Sequence, residues 1–126
     1  MNKHEIAERW LEAFAENCPK EFLDKHVRAR GNFLWHIFSW NQVDCLKEEA
    51  AEAAFDELDY DSAFIFYLGQ AGEGEFEITD FAVCGKMKVS EWKGREDIYM
   101  VDPAFTWTFV HTHEHPEIGP FFCKKK

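Results

Sequence analysis

A chain of 126 residues is the size of one domain. Hydrophobic residues make up 46% of it, including thirteen Phe and five Trp, which is enough for a dense core and excludes a disordered protein. The net charge of −10 argues against direct nucleic-acid binding, which draws its affinity from clustered Lys and Arg. No stretch approaches the ~20 apolar residues that a membrane-spanning helix needs, so we expect no membrane partner. The sequence therefore predicts a single globular domain over residues 1–126.

The cysteines indicate a reducing compartment. Four of them are spread widely along the sequence without a C-x-x-C pair, which fits neither a zinc knuckle nor a small secreted disulfide scaffold. The first residues also lack the apolar run of a secretory signal. We therefore expect a cytoplasmic protein with its cysteines as thiols, most of them in the core. The cysteines are Cys18, Cys45, Cys84 and Cys123.

Apolar spacing in the first half of the chain predicts two helices, a strand and a third helix. Asn2 and Glu5 stand three positions apart, which is typical of a capping box at a helix start. The run 33–40 is apolar on both alternating faces, as in a strand that is covered on both sides. Asn41, with Asp44 following, can cap the third helix. The predicted elements are helices over residues 3–17, 20–30 and 43–58 and a strand over residues 33–40.

The second half of the chain predicts strands joined by short connections. Phe76 and Ile78 alternate with acidic residues, which indicates an exposed edge strand, whereas residues 81–94 give no clear pattern. The fold prediction is α+β: a single domain with a mainly antiparallel or mixed sheet of about four to five strands packed against about three helices. Besides residues 33–40, the main strands of this sheet are predicted near residues 63–68, 97–101 and 104–112.

Acidic residues are concentrated in one part of the sequence. Residues 44–80 hold twelve acidic residues and one base, Lys47, whereas residues 1–43 and 81–110 have balanced charges. On the third predicted helix the acidic side chains gather within about a 100° arc, opposite the apolar residues. We interpret this face as the surface of a non-enzymatic binding module for a basic protein partner, such as an inhibitor or immunity-type protein. Charge that serves only solubility is the alternative. The surface consists of Glu48, Glu49, Glu52, Asp56 and Asp59.

A row of histidines ends the last predicted strand, where its apolar face continues into His111, His113 and His115. Histidines at i and i+2 of a strand lie about 6.6 Å apart, so both rings can reach one ion. The primary prediction has no cofactor. The alternative is a protein that binds a divalent metal such as zinc, or a metal-assisted hydrolase, built on His111, His113 and His36. Candidates for a third ligand are His36, Cys123, Glu114 and Glu117.

Other residues of these segments have a structural interpretation. Trp107 and Phe109 are predicted to face the core from the last strand. His36 lies between apolar residues, which favours a hydrogen-bonded core histidine over a ligand or base, and His26 is interpreted in the same way. The sequence contains neither a serine in a nucleophile elbow nor an H-E-x-x-H motif, so no catalytic residue is predicted and we do not expect an enzyme.

Several short motifs follow one another in the sequence: Leu34-Trp35-His36-Ile37-Phe38-Ser39-Trp40, Cys45-Leu46, Ala54-Phe55-Asp56, Tyr99-Met100-Val101-Asp102, Phe105-Thr106-Trp107-Thr108, Thr112-His113-Glu114 and Gly119-Pro120-Phe121-Phe122. Together they resemble a family of short uncharacterised proteins of Gram-positive bacteria, catalogued as a domain of unknown function. The resemblance implies a whole-domain bacterial family member and assigns no activity. The family pattern holds Thr-His-Glu and not three histidines, which argues against His111 and His115 as ligands. A further candidate functional cluster is His36, Trp107, His113 and Glu114.

Overall fold

The computed structural model describes residues 2–27, 34–70, 76–88, 97–114 and 117–125. This part of the chain forms four helices and a six-stranded antiparallel sheet with the strand order β1-β6-β5-β4-β2-β3. The α+β prediction is therefore confirmed, with more helices and strands than predicted. The elements are α1 Lys3–Phe14, α2 Lys20–His26, α3 His36–Ser39, α4 Glu48–Glu57, β1 Leu46–Lys47, β2 Ala63–Gln70, β3 Phe76–Cys84, β4 Asp97–Val101, β5 Trp107–His111 and β6 Phe121–Lys124.

Helices cover both faces of the sheet. On one face the Trp10 ring of α1 packs edge-on against Phe38 and Tyr99, with ring centroids 5.7 and 5.4 Å apart. On the other face Phe55 of α4 stacks on Phe109 of β5, with centroids 4.3 Å apart. Because both faces are covered, every residue of β4 is buried. The hydrophobic core thus consists of two clusters separated by the sheet.

The Trp10 indole also makes the polar link between α1 and the sheet. Its Nε1–H donates to the Thr108 hydroxyl at 2.8 Å, and that hydroxyl donates to the Met100 carbonyl at 2.7 Å. All three residues are buried. Each polar group therefore has a partner inside the core, as burial requires.

The predicted strand over residues 33–40 is wrong. His36–Ser39 form the short helix α3, and residues 28–33 lie outside the described part of the chain. Leu34, Ile37 and Phe38 are fully buried, whereas His36 and Ser39 are half-buried. This burial follows the helical i, i+3, i+4 spacing, which a short run of apolar residues does not separate from a buried strand.

The third predicted helix begins later than expected. Leu46 and Lys47 pair with Phe122 and Phe121 as strand β1, so the helix starts at Glu48. Leu46, which the helical pattern placed on the apolar face, is instead 46% exposed. The first helix also ends earlier than predicted, at Phe14, and α2 ends at His26.

Three other predictions are confirmed: the cap of the first helix, the edge strand, and the burial of two aromatic residues. Glu5 donates its backbone N–H to the Asn2 side chain at 3.0 Å, as expected of a cap. The predicted edge strand around residues 76–78 is part of β3, which lies at one end of the sheet. For residues 81–94 the sequence shows no clear pattern. Residues 81–84 extend β3, and residues 89–94 lie outside the described part of the chain. Trp107 and Phe109 are buried as predicted.

The strand predicted over residues 104–112 is β5, which is shorter than predicted. The Asp102 carboxylate accepts the backbone N–H groups of Thr106 and Trp107, at 2.6 and 3.1 Å, and so closes a turn before β5. Phe105 adopts a positive φ of 57° in this turn. The strand therefore begins only at Trp107 and ends at His111.

A strand that the sequence analysis missed completes the sheet. β6 lies between β5 and β1, where Phe122 pairs with Phe109 on one side and with Leu46 on the other. Gly119, just before it, has a φ of 84° and lies against Thr112, where an added Cβ would be 3.2 Å from the threonine methyl. A side chain at this position would be strained, so glycine suits the approach to β6.

Candidate functional site

The His113 imidazole is held by a buried carboxylate. Asp97, at the start of β4, accepts the backbone N–H of His113 at 2.9 Å and its ring Nδ1–H at 2.8 Å, both at Oδ1. Asp97 is 3% exposed, whereas the His113 side chain is 35% exposed. Because a carboxylate only accepts, the ring carries its hydrogen on Nδ1, and in the neutral form the lone pair is on Nε2.

The His36 imidazole has a similar arrangement. Its Nδ1–H donates to the His26 carbonyl oxygen at 2.7 Å, and the ring is half-buried in α3. Burial lowers the pKa of His36 below its ordinary value, against smaller opposing effects that include the charges of Glu114 and Asp97. The ring is therefore neutral at pH 7, and the prediction of a hydrogen-bonded histidine is confirmed.

Trp35 connects the two histidines. Its ring centroid is 4.7 Å from that of His36 and 6.1 Å from that of His113. Its backbone N–H donates to the Tyr99 hydroxyl at 3.2 Å, which anchors the residue to β4. Complete burial raises the pKa of Tyr99 well above its ordinary value, so this hydroxyl stays neutral.

Glu114 completes the group. Its Oε1 lies 4.0 Å from Nε2 of His113, and its side chain is 47% exposed. The resulting imidazole cluster brings together three of the four residues that the sequence analysis grouped, and adds Asp97 and Trp35. Asp97 was not predicted as a site residue from the sequence, because its position indicates only the polar end of an apolar strand. The imidazole cluster consists of Trp35, His36, Asp97, His113 and Glu114.

Trp107, the fourth residue of the predicted group, lies elsewhere. Its ring packs 5.1 Å from Tyr60 and 6.2 Å from Phe55, in the core cluster on the α4 face of the sheet. Trp35 belongs to the cluster on the opposite face. The grouping of Trp107 with the histidines is therefore wrong, because the sheet separates them.

The predicted histidine row does not continue along one face. β5 ends at His111, and the His113 ring then bonds to Asp97 and packs near Trp35. His115 lies outside the described residues. In the part of the chain that the structure describes, no group of three or more His, Cys, Asp and Glu side chains is placed to hold a metal ion, so His36, His111 and His113 do not form a ligand set there.

The acidic residues of α4 form the second candidate site. Ala51 and Phe55 are fully buried against the sheet, which fixes the orientation of the helix. The carboxylates on the remaining arc are exposed at Glu48 and Glu49 and half-buried at Glu52 and Asp56, and the exposed Asp59 follows two residues after the helix ends at Glu57. We call this surface the acidic helix face; it consists of Glu48, Glu49, Glu52, Asp56 and Asp59.

A groove lies beside the end of the acidic helix face. Its volume is about 610 Å³, and its lining includes Asp59 from that face. The lining also combines two further acidic residues, two aromatic residues and two bases: Asp61, Asp102, Tyr60, Trp107, Lys124 and Lys125. The mixed lining differs from the exposed surface of α4, which carries carboxylates and alanines and no base.

Residues 4–122 match the sequence model of a family described as a domain of unknown function (DUF4275). The chain belongs to this family. No curated protein and no solved structure matches the chain.

The DUF4275 match spans nearly all of the described elements, including the imidazole cluster and the acidic helix face. It confirms the expected membership of an uncharacterised family and carries no activity with it. No helix within the described ranges has the length and apolar character needed to cross a membrane. Two sites in the DUF4275 domain bear on its function: the imidazole cluster and the acidic helix face.

Proposed function

We propose that this DUF4275 domain is a cytoplasmic, non-enzymatic binding module that takes a basic protein partner on the acidic helix face. The observation that carries the proposal is the placement of α4. Its two buried residues, Ala51 and Phe55, hold the helix on the sheet, while Glu48 and Glu49 are exposed and Glu52 and Asp56 are half-buried. An inhibitor or immunity-type protein acting on a basic enzyme would use such a surface.

The anchoring of α4 supports this role in two ways. Because Phe55 stacks on Phe109, the helix is ordered before a partner arrives, and less conformational entropy is lost on binding. The face also lies in the acidic part of the chain, since residues 44–80 hold twelve acidic residues and one base, whereas residues 1–43 and 81–110 have balanced charges. The resulting negative potential steers a basic partner and raises its association rate, most strongly at low salt.

Reversing charge on the acidic helix face is expected to slow association without unfolding the domain. In the variant Glu49→Lys with Glu52→Lys, association with a basic partner should slow roughly tenfold at low ionic strength, and its salt dependence should flatten. The free energy of unfolding should change by less than about 1 kcal/mol, since relief of repulsion between neighbouring carboxylates is offset by the loss of the favourable Glu49 carboxylate in the first turn of α4. Proteins captured from a native lysate would be identified by mass spectrometry, and their association rates measured over a salt series.

The matched control carries the same charge change away from α4. Glu12→Lys with Glu21→Lys alters two exposed carboxylates of α1 and α2. This variant should retain the partner and its association rate. If both double variants and the unchanged chain capture the same proteins equally, the acidic helix face serves solubility and the binding proposal fails.

A second candidate function, a divalent-metal-binding protein or metal-assisted hydrolase with an ion such as zinc, is favoured by one observation. His36 and His113 each donate Nδ1–H to an oxygen atom, at 2.7 and 2.8 Å. Metal-binding histidines usually have such partners, which orient the ring and leave Nε2 for the ion. Within the described residues the two rings have no third His, Cys, Asp or Glu placed to complete a ligand set, so this function would need a further ligand.

Metal content separates the two candidates. Under the binding-module proposal we expect the dialysed protein to hold much less than one zinc ion per chain. Stoichiometric zinc that is lost in His113→Ala, and retained in the control His26→Ala, would favour the metal function. His113→Ala should cost about 1–3 kcal/mol of stability in either case, because the buried Asp97 carboxylate loses its imidazole partner.

A further inference from the structure

Two cysteines face each other across the β1–β6 ladder. Leu46 pairs with Phe122 and Lys47 with Phe121 in antiparallel register. Continued one step beyond the start of β1, the same register places Cys45 opposite Cys123. The two residues are far apart in the sequence, and only the fold brings them together.

The hydrogen-bond pattern shows which kind of pair this is. Glu48 donates its backbone N–H to the Pro120 carbonyl oxygen at 2.9 Å, so the backbone groups of Glu48 and Pro120 face each other as in a hydrogen-bonded rung, although proline has no N–H to return a second bond. Hydrogen-bonded and non-hydrogen-bonded rungs alternate in an antiparallel ladder, which makes the Cys45–Cys123 rung, three steps away, non-hydrogen-bonded. Cα atoms in such a rung are about 4.5 Å apart, within the range that a disulfide spans.

The pairing of β6 with β5 supports the same assignment. Lys125 donates its backbone N–H to the Thr106 carbonyl at 2.8 Å. Two residues earlier, Cys123 pairs with Thr108, so its backbone groups also point toward β5. They therefore point away from β1, as a non-hydrogen-bonded rung requires.

The two side chains lie on the same face of the sheet. Cys123 belongs to the core cluster that contains Trp10 and Tyr99, and Cys45 packs against that cluster. The Cys123 thiol also contacts the Asp44 carbonyl oxygen at 3.6 Å, directly beside Cys45 in the chain. Both sulfur atoms are therefore on the side where they can meet.

We propose that Cys45 and Cys123 are a redox-modification site that a low-molecular-weight disulfide converts into a cross-strand disulfide. The more accessible Cys45 attacks the reagent and forms a mixed disulfide, releasing one thiol. Cys123 then attacks the Cys45 sulfur of the mixed disulfide, releases the second reagent thiol and forms the Cys45–Cys123 disulfide. The protein loses two hydrogen atoms, and the reagent disulfide is reduced to two thiols. The bond fastens β1, and with it the start of the acidic helix, to β6.

The reaction is expected to be slow near neutral pH. All four cysteines are in the thiol form, and burial raises the pKa of Cys45 to about 12. The attacking species is the thiolate, so its fraction is small at pH 7 and increases with pH. The site therefore responds to sustained oxidation rather than to a brief pulse.

The folded full-length protein would be incubated overnight with glutathione disulfide at about pH 8.5. We expect a product lighter by two hydrogen atoms, a peptide map that links Cys45 to Cys123, and two thiols remaining, at Cys18 and Cys84. The midpoint of thermal unfolding should rise by roughly 10 °C, because the bond closes a long loop of the unfolded chain.

Single substitutions provide the controls. Cys45→Ser and Cys123→Ser should each abolish both the linked peptide and the rise in the unfolding midpoint. Cys18→Ser and Cys84→Ser should retain both. A stable glutathione adduct without loss of the second thiol, a link to Cys18 or Cys84, or cross-linking only after denaturation would overturn the proposal.

Discussion

Replacing Trp107 with alanine is expected to lower the free energy of unfolding by about 3–5 kcal/mol, the usual range for truncation of a buried aromatic ring. The indole is 6% exposed and packs against Phe55, Tyr60 and Phe122, with centroids 6.2, 5.1 and 6.2 Å away. Removing it leaves a cavity beneath the C-terminal half of α4. Urea unfolding followed by circular dichroism measures the loss.

Trp40 is the matched control for this prediction. It is also a tryptophan, but it is 52% exposed, and its ring contacts are with His26 and Phe22. Trp40→Ala should cost at most about 1 kcal/mol. Equal losses in the two variants would contradict the assignment of Trp107 to the core.

Replacing Trp10 with alanine should be equally costly, about 3–5 kcal/mol, through the other core cluster. This fully buried ring contacts Phe38 of α3 and Tyr99 of β4, and it bonds to Thr108 of β5. Its loss therefore loosens two helices from the sheet at once. The same urea titration measures the change.

Two further variants separate packing from hydrogen bonding at Trp10. Trp10→Phe keeps an aromatic ring and removes the bond to Thr108, so it should cost less than alanine. Glu12→Ala, on the exposed side of the same helix, should change stability by less than about 0.5 kcal/mol. A phenylalanine variant as unstable as the alanine variant would show that the hydrogen bond, and not the ring packing, holds α1.

The sequence predicted those parts of the fold whose apolar pattern has one interpretation. The amphipathic α1 and the strands β2, β4 and β5 were found, because in each the apolar period matches the element. The prediction of a strand over residues 33–40 failed because a short apolar run buried on all sides fits either a helix or a strand. β6 was missed because its pairing with both β1 and β5 is decided by residues distant in the sequence.

The two candidate sites also differ in how far the sequence predicted them. The acidic helix face follows from local spacing, so its carboxylates were predicted together, and all of them except Asp59, which follows the helix, do lie on α4. The imidazole cluster depends on the turn after His111, where Asp97 redirects His113. Strand periodicity could not foresee that turn, and it therefore aligned His113 with His111 and Trp107.

The position of β6 between β1 and β5 has a consequence for synthesis on the ribosome. α4 is made early, but Phe109 and Phe122, on the sheet face that it covers, emerge much later. Until then Ala51 and Phe55 have no sheet to cover them, and exposed apolar surface of this kind promotes aggregation of nascent chains. The carboxylates on the opposite side of the same helix repel neighbouring chains during that interval. We therefore expect their charge to oppose aggregation of the growing polypeptide.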